Sequence, residues 1–216
     1  MTDQNDKDQN DKDQISQMVG RSIDDTAKEF YFTVSQEASI TSRIGSSIER
    51  SLNGKTVGKY SVNITTLDIP DRGRNSIEKK IGADLIMSVS VTGAVEFDKL
   101  ILIQAKFERK INKSDMLSAC NRMEGAIGEK GGYIWLYGEN GVRVLSPYQV
   151  ANMKGNSIKG LKPRSASGFT KRIFDCYAGV RDNRIKGNKN RRSALSKVLE
   201  ELNAPHLIDI SLYDLE

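Results

Sequence analysis

Apolar positions recur with clear periods between residues 37 and 150, and they divide this part of the chain into helices and strands. From Glu37 to Leu52 an apolar residue returns every fourth position, which predicts an amphipathic helix that ends at the Asn53-Gly54 pair. Shorter runs of alternating or continuous apolar residues predict strands, each bounded by turn residues. The predicted strands cover residues 60–64, 84–92, 100–103, 133–137 and 142–145, and a second helix covers residues 114–127.

The order of these elements, helix, three strands, helix and two strands, predicts the fold class. It is typical of an α/β domain with a mixed central sheet flanked by helices. Residues 100–103 are continuously apolar, as expected for a strand that is covered on both faces. We therefore predict a core at residues 15–150, followed by a basic and mainly helical C-terminal extension at residues 151–216.

The N-terminal segment has a different character. Residues 3–14 repeat the letters DQNDK without an apolar residue, so we predict that residues 1–14 form a disordered acidic tail. The segment lacks the basic and then apolar layout of a secretory signal, and no apolar run is long enough to cross a bilayer. We expect a cytoplasmic protein without membrane association.

Composition excludes several kinds of site. The chain of 216 residues has two cysteines and one histidine, too few for a disulfide framework, a zinc site or a histidine-rich metal centre. We expect Cys120 and Trp135 to pack in the core, and we expect His206 to be a surface or capping residue.

Basic residues are concentrated in the C-terminal third. The net charge is +5, but residues 154–192 alone contain twelve Lys or Arg against two Asp. Such a block attracts polyanions, because each neutralised phosphate releases a counterion. The alternative is a solvated surface that only confers solubility. We favour nucleic acid as the partner, with DNA contacts from Lys186, Lys189, Arg191 and Arg192.

One group of residues is suited to phosphodiester chemistry. If the strands at 84–92 and 100–103 form a hairpin, Asp84 and Gln104 lie side by side, and alternation places Lys106 on the face of Gln104. Mg²⁺ prefers hard oxygen ligands, which Asp84, the Gln104 side chain and the Ala105 carbonyl can supply. Lys106 can orient the attacking water and stabilise the charge that develops on the phosphate.

These residues and their flanking segments carry a family resemblance. Residues 37–150, with the string GAD…LILIQAK followed by SDMLSACNRMEGAI and YIWLYGENGVRVL, resemble the PD-(D/E)xK nuclease superfamily, and in particular Mrr-like restriction endonucleases with a QxK motif. Ala83 precedes Asp84 in place of the proline in the motif. The resemblance implies a restriction-endonuclease-like αβββαβ core and DNA cleavage with Mg²⁺, or Mn²⁺ in its place, in bacterial restriction or anti-phage defence.

The resemblance also implies a glutamate from the first helix as a further metal ligand or base. We rank Glu37 first, Glu78 second and Glu49 third. Two of them have an ordinary alternative role: Glu37 is a favourable charge at a helix N-terminus, and Glu78 is a solvated loop acid.

Two other functions stay open at this point. Gln104 replaces a carboxylate and removes a negative charge from the metal site, which is compatible with an inactive nucleic-acid-binding module of the same fold. Residues 154–216 are also compatible with a subunit that docks a partner. The resemblance implies either a homodimer or a separate recognition or helicase-type subunit, because the core carries no apparent module that selects DNA targets.

Overall fold

A mixed β-sheet with helices on both faces forms the centre of the molecule, which confirms the predicted α/β class. The computed structural model describes residues 2–69, 81–93, 96–186 and 190–215. Six α-helices lie within these residues: α1 (Thr2–Phe30), α2 (Glu37–Leu52), α3 (Lys113–Ile127), α4 (Pro147–Ala151), α5 (Ala166–Phe174) and α6 (Arg191–Glu201). The nine strands of the same ranges are β1 (Thr56–Val57), β2 (Tyr60–Asp68), β3 (Leu85–Thr92), β4 (Phe97–Phe107), β5 (Gly132–Gly138), β6 (Gly141–Leu145), β7 (Arg164–Ser165), β8 (Val180–Arg181) and β9 (His206–Asp214).

The sheet has the strand order β1-β2-β9-β3-β4-β5-β6-β7, and β8 pairs with the first half of β4. The predicted hairpin is present, because β3 and β4 are antiparallel neighbours. On its other edge β4 runs parallel to β5, and α3 connects these two strands.

The predicted division at residue 150 is wrong, because the last strand completes the middle of the sheet. β9 lies between β2 and β3, antiparallel to the first and parallel to the second. The described residues of the C-terminal third also contain three strands besides the two helices α5 and α6, so it is not mainly helical. Residues 151–216 therefore belong to the same core.

The predicted disordered tail is also wrong, because residues 2–14 form the first half of α1. The apolar stripe of Ile15, Val19 and Ile23 is fully buried and fixes the helix on the sheet. The preceding acids then find partners from distant parts of the chain. Asp8 contacts the Tyr60 hydroxyl, and two more aspartates of this segment, Asp11 and Asp13, accept from Lys59 and Lys171.

Two apolar layers lie on opposite faces of the sheet. The layer under α1, α2 and α5 receives Ile101 and Ile103 of β4, whereas the layer under α3, α4 and α6 receives Leu100 and Leu102. Both faces of β4 are thus covered, as the continuous apolar run predicts. Cys120 and Trp135 are both 0% exposed, which confirms their predicted positions in the core.

The bounds of α2 agree with the predicted helix, and those of α3 differ by one residue. Asn112 caps α3, and its side-chain oxygen accepts from the Asp115 N–H at 3.2 Å. None of the helices in the described ranges is both long and apolar enough to cross a membrane.

Candidate active site

Asp84 lies opposite Gln104, at the point where β3 begins and β4 continues. A turn at Gly82, which has a φ of 70°, leads the chain into this position. The Asp84 N–H donates to the Ile103 carbonyl at 2.8 Å, and the Asp84 Oδ2 accepts from the Ala105 N–H at 2.8 Å. The Asp84 carboxylate thus accepts a hydrogen bond that a backbone carbonyl of a neighbouring strand would otherwise accept. The predicted pairing of Asp84 with Gln104 agrees with the strand register, in which Leu85 lies opposite Ile103.

Glu37 reaches the same edge of β4 from the first turn of α2. Its Oε1 accepts from the Phe107 N–H at 3.3 Å. The N–H groups of Ala105 and Phe107 are two residues apart and therefore about 7 Å from each other. Because the N–H and C=O of one strand residue point to the same edge, the Ala105 carbonyl also faces the two carboxylates. Two carboxylates and one carbonyl therefore line this edge.

Gln104, which lies opposite Asp84, contributes a buried side-chain amide oxygen. Gln104 is 8% exposed, and its buried Oε1 has no hydrogen-bond partner among the residues that the structure describes. Leaving a buried acceptor unpaired costs about 1–3 kcal/mol, so such atoms are uncommon. Lys106 follows two residues later on the same face of β4 and is half-buried. We refer to Glu37, Asp84, Gln104 and Lys106 as the candidate site.

Tyr137 lies beneath the candidate site and was not singled out by the sequence. Its hydroxyl is 2.8 Å from the Thr41 Oγ1, and β5 places it beside Phe107. Burial raises the pKa of Tyr137, and the negative charges of Asp84 and Glu37 raise this pKa further. The phenol is therefore neutral at physiological pH. Only the buried strand was predictable, since nothing in the sequence indicates where the hydroxyl points.

His206 and Asp68 form a pair two strands away from Gln104, at the same end of the sheet. The His206 Nδ1 is 2.8 Å from the Asp68 Oδ1, and Ser42 donates to the other carboxylate oxygen at 2.9 Å. These hydrogen bonds, chiefly that of His206, lower the pKa of Asp68. His206 was predicted to be a surface or capping residue; its side chain is only 12% exposed, so it does not lie on the open surface, and its buried Nε2 has no partner among the described residues.

The structure describes one of the two alternative glutamates, Glu49, and does not describe the other, Glu78. Glu49 lies over β2, where its Oε2 accepts from the Thr66 hydroxyl at 2.5 Å, so it does not join the candidate site. Glu78 lies outside the described residues. Of the acids on α2, Glu37 is thus the one that contacts β4.

Arg191, predicted to contact DNA, is engaged inside the protein. Its guanidinium donates to both oxygens of Asp209 at 2.9 and 2.7 Å, to Asp98 at 2.8 Å and to Ser88 at 3.0 Å. Asp209 is 2% exposed and needs this cation, since a buried carboxylate without a partner is strongly destabilising. The structure therefore gives Arg191 a structural role. We refer to Ser88, Asp98, Arg191, Asp209 and Ser211 as the distal cluster.

The two groups occupy opposite ends of β4. Asp98 precedes Gln104 by six residues, which corresponds to about 20 Å along an extended strand. Arg192 is exposed next to Arg191, Lys186 is also exposed, and Lys189 lies outside the described residues. Of the predicted DNA contacts, Arg191 and its neighbour Arg192 thus lie at the end of β4 away from the predicted chemistry.

The atoms of the candidate site that could ligate a metal ion are oxygens. In the ranges that the structure describes, no three His, Cys, Asp or Glu side chains are grouped so that they could hold a metal ion. The candidate site instead combines two carboxylates, one amide oxygen and one backbone carbonyl. Hard oxygen donors of this kind fit Mg²⁺, which usually keeps several waters beside one or two carboxylates. The unpaired Gln104 Oε1 is the atom that a bound cation would satisfy.

No family model matches the chain, and no curated protein or solved structure matches it. The resemblance to the PD-(D/E)xK superfamily therefore stays a prediction from the motif residues.

Proposed function

We propose that this protein is a Mg²⁺-dependent deoxyribonuclease that hydrolyses DNA phosphodiester bonds. The observation that carries the proposal is the buried Gln104 Oε1 beside Asp84, which has no hydrogen-bond partner in the described part of the chain, at an edge of β4 lined by a second carboxylate. A polar atom left unpaired in a core lowers stability, so its presence favours a ligand over a structural role.

Four groups would hold the cation: the carboxylates of Asp84 and Glu37, the Gln104 Oε1 and the Ala105 carbonyl. When bound, Mg²⁺ or Mn²⁺ lowers the pKa of a coordinated water and screens the charge of a phosphate. Lys106 orients that water and stabilises the negative charge that develops on the phosphate in the transition state. The backbone N–H groups of Ala105 and Phe107 hold the two carboxylates in position.

The chain order supports a restriction-endonuclease-like core, since α2, β2, β3, β4, α3 and β5 occur in the order αβββαβ, with only the two-residue strand β1 added between α2 and β2. The insertion of β9 between β2 and β3 is a departure from a simple three-strand meander. In this proposal the protein acts in the cytoplasm in bacterial restriction or anti-phage defence. It does so as a homodimer or together with a recognition or helicase-type subunit.

The test is plasmid cleavage by the full chain in Mg²⁺, with and without a chelator, for the wild type and for Lys106→Met. We expect cleavage by the wild type that the chelator abolishes, and a rate at least about a hundredfold lower for Lys106→Met. Lys55→Met removes an exposed lysine and serves as the matched control. Equal cleavage by the wild type and Lys106→Met would place the chemistry elsewhere.

The second candidate is a nucleic-acid-binding module without turnover. The amide of Gln104 favours it, because the described residues lack a group of three acidic ligands. In that case the wild type and Lys106→Met bind DNA with equal affinity, and neither cuts it with Mg²⁺ or Mn²⁺.

A further inference from the structure

Residues 152–164, which we call the basic loop, carry positive charge without any acidic residue. The loop leads from α4 to β7. It contains glycine, serine and asparagine between its cations and no Asp or Glu. Its cationic side chains are all exposed, and they are Lys154, Lys159, Lys162 and Arg164.

The backbone of the basic loop is fixed by contacts with two neighbouring helices. The Lys113 ammonium, at the start of α3, donates to the Met153 carbonyl at 2.7 Å, and the Lys113 N–H donates to the Asn156 side chain at 2.9 Å. Gln149 of α4 donates to the Lys162 carbonyl at 2.8 Å. Met153 is 3% exposed and packs in the core. The loop therefore presents its charges from a defined position.

The strand register places Arg164, at the end of the basic loop, level with Ala105 beside the candidate site. Ala105 of β4 pairs with Trp135, Trp135 with Val144, and Val144 with Arg164 of β7. Three strand spacings separate β4 from β7, which corresponds to about 14 Å. A single DNA strand advances about 3.4 Å per nucleotide, so this distance spans about four nucleotides. The loop thus lies within reach of the DNA next to a bond held at Lys106.

Three other cations of the C-terminal third are already neutralised. Lys171 pairs with Asp13, and Arg184 and Arg191 pair with aspartates of their own surroundings. Within the described ranges, none of the four cations of the basic loop lies within ion-pair distance of a carboxylate. Their charge is therefore available to a polyanion.

We propose that the basic loop binds the phosphate backbone of the DNA that flanks the bond held at the candidate site. This inference rests on the proposed function, because that function makes DNA the polyanion. It assigns the positioning of DNA to residues 152–164 and not to the exposed cations beside the distal cluster. Phosphate contacts of this kind set the register of the DNA and carry no sequence information.

The test compares two variants of the full chain that have the same net charge. The loop variant carries Lys154→Gln, Lys159→Gln, Lys162→Gln and Arg164→Gln. The distal variant carries Arg181→Gln, Lys186→Gln, Arg192→Gln and Lys197→Gln, all exposed positions outside the basic loop; Arg181 lies opposite Lys99 of β4, and Arg192 and Lys197 lie on α6. The affinity for a fluorescent DNA duplex is measured by anisotropy in a chelator, so that no cleavage takes place, over a range of salt concentrations.

We expect the loop variant to bind about tenfold or more weakly than the wild type. Its slope of log affinity against log salt should fall by up to about 0.9 for each lost contact. The distal variant should bind within about twofold of the wild type. Equal losses in the two variants, or an unchanged salt slope in the loop variant, would overturn the proposal.

A cleavage assay separates this inference from the proposed function. If the wild type cuts DNA, the loop variant should show a raised KM and a nearly unchanged kcat at saturating DNA. If the wild type binds DNA through the loop and never cuts, the nuclease proposal fails and the loop assignment stands. If the wild type cuts and the loop variant keeps its affinity and KM, the loop assignment fails and the nuclease proposal stands.

Discussion

The buried polar groups at the two ends of β4 differ in how far their hydrogen bonds are satisfied. In the distal cluster the guanidinium of Arg191 donates to Asp98, Asp209 and Ser88, and Ser211 donates to Asp209 at 2.9 Å. About 20 Å along the same strand, the Gln104 Oε1 has no hydrogen-bond partner within the ranges that the structure describes. The distal cluster and the candidate site both include side chains on the same face of the sheet.

This difference separates buried polar groups that stabilise the fold from buried polar groups that are available for function. A buried ion network with its hydrogen bonds made holds the fold together, and removing one member leaves an uncompensated charge. An unpaired acceptor contributes nothing to stability, so an apolar residue of the same shape would serve the fold better. We therefore expect substitutions at the distal cluster to affect stability, and substitutions at the candidate site to affect chemistry.

Arg191→Met should have the largest effect of this series, and it should act on stability alone. The change leaves Asp209 buried without its cation, so the free energy of unfolding should fall by about 3–5 kcal/mol in urea denaturation. Arg192→Met changes an exposed neighbour and should leave stability within about 0.5 kcal/mol of the wild type. A fully stable Arg191→Met protein would show that the distal cluster is not structural.

Asp84→Asn should abolish function and preserve the fold. The asparagine oxygen still accepts from the Ala105 N–H, whereas the negative charge that a cation requires is lost. We expect plasmid cleavage to fall at least about a hundredfold with little change in Tm. Asp115→Asn, at an exposed position in the first turn of α3, is the control and should cut like the wild type.

Glu37→Gln should reduce cleavage by about tenfold to a hundredfold, because Glu37 contacts the edge of β4 through Phe107. Glu49→Gln should have little effect on cleavage, since Glu49 contacts Thr66 on β2. Single-turnover cleavage rates of the two variants check this ranking. A larger loss in Glu49→Gln would mean that the wrong turn of α2 was assigned to the site.

Gln104→Leu should leave stability unchanged or raise it slightly. The variant removes an unpaired buried acceptor and keeps a side chain of similar size, which mutational data place near neutral. Its free energy of unfolding should lie within about 1 kcal/mol of the wild type, while its cleavage falls. A clear loss of stability would show that Gln104 supports the fold.

Local patterns predicted much of the fold around the candidate site. The bounds of α2 follow from apolar residues at every fourth position, and the apolar run before Gln104 identified β4. The pairing of Asp84 with Gln104 was predictable because a hairpin and strand alternation fix which residues lie opposite.

Contacts between distant parts of the chain were not predictable in this way. β9 joins the middle of the sheet although Asp209 and Ser211 interrupt its apolar pattern, and Arg191 compensates them. The first half of α1 is a polar repeat without an apolar residue, and its acids are satisfied by Lys59 and Lys171. Such partners become visible only when the chain is folded.

The central claim is that the candidate site binds a divalent cation through Asp84. Titration calorimetry of Mn²⁺ into the full chain tests it most directly, with Asp84→Asn and Asp115→Asn as a matched pair. We predict one saturable site in the wild type and in Asp115→Asn, and no such site in Asp84→Asn. Equal binding by the wild type and Asp84→Asn, or no saturable binding by the wild type, would contradict the claim.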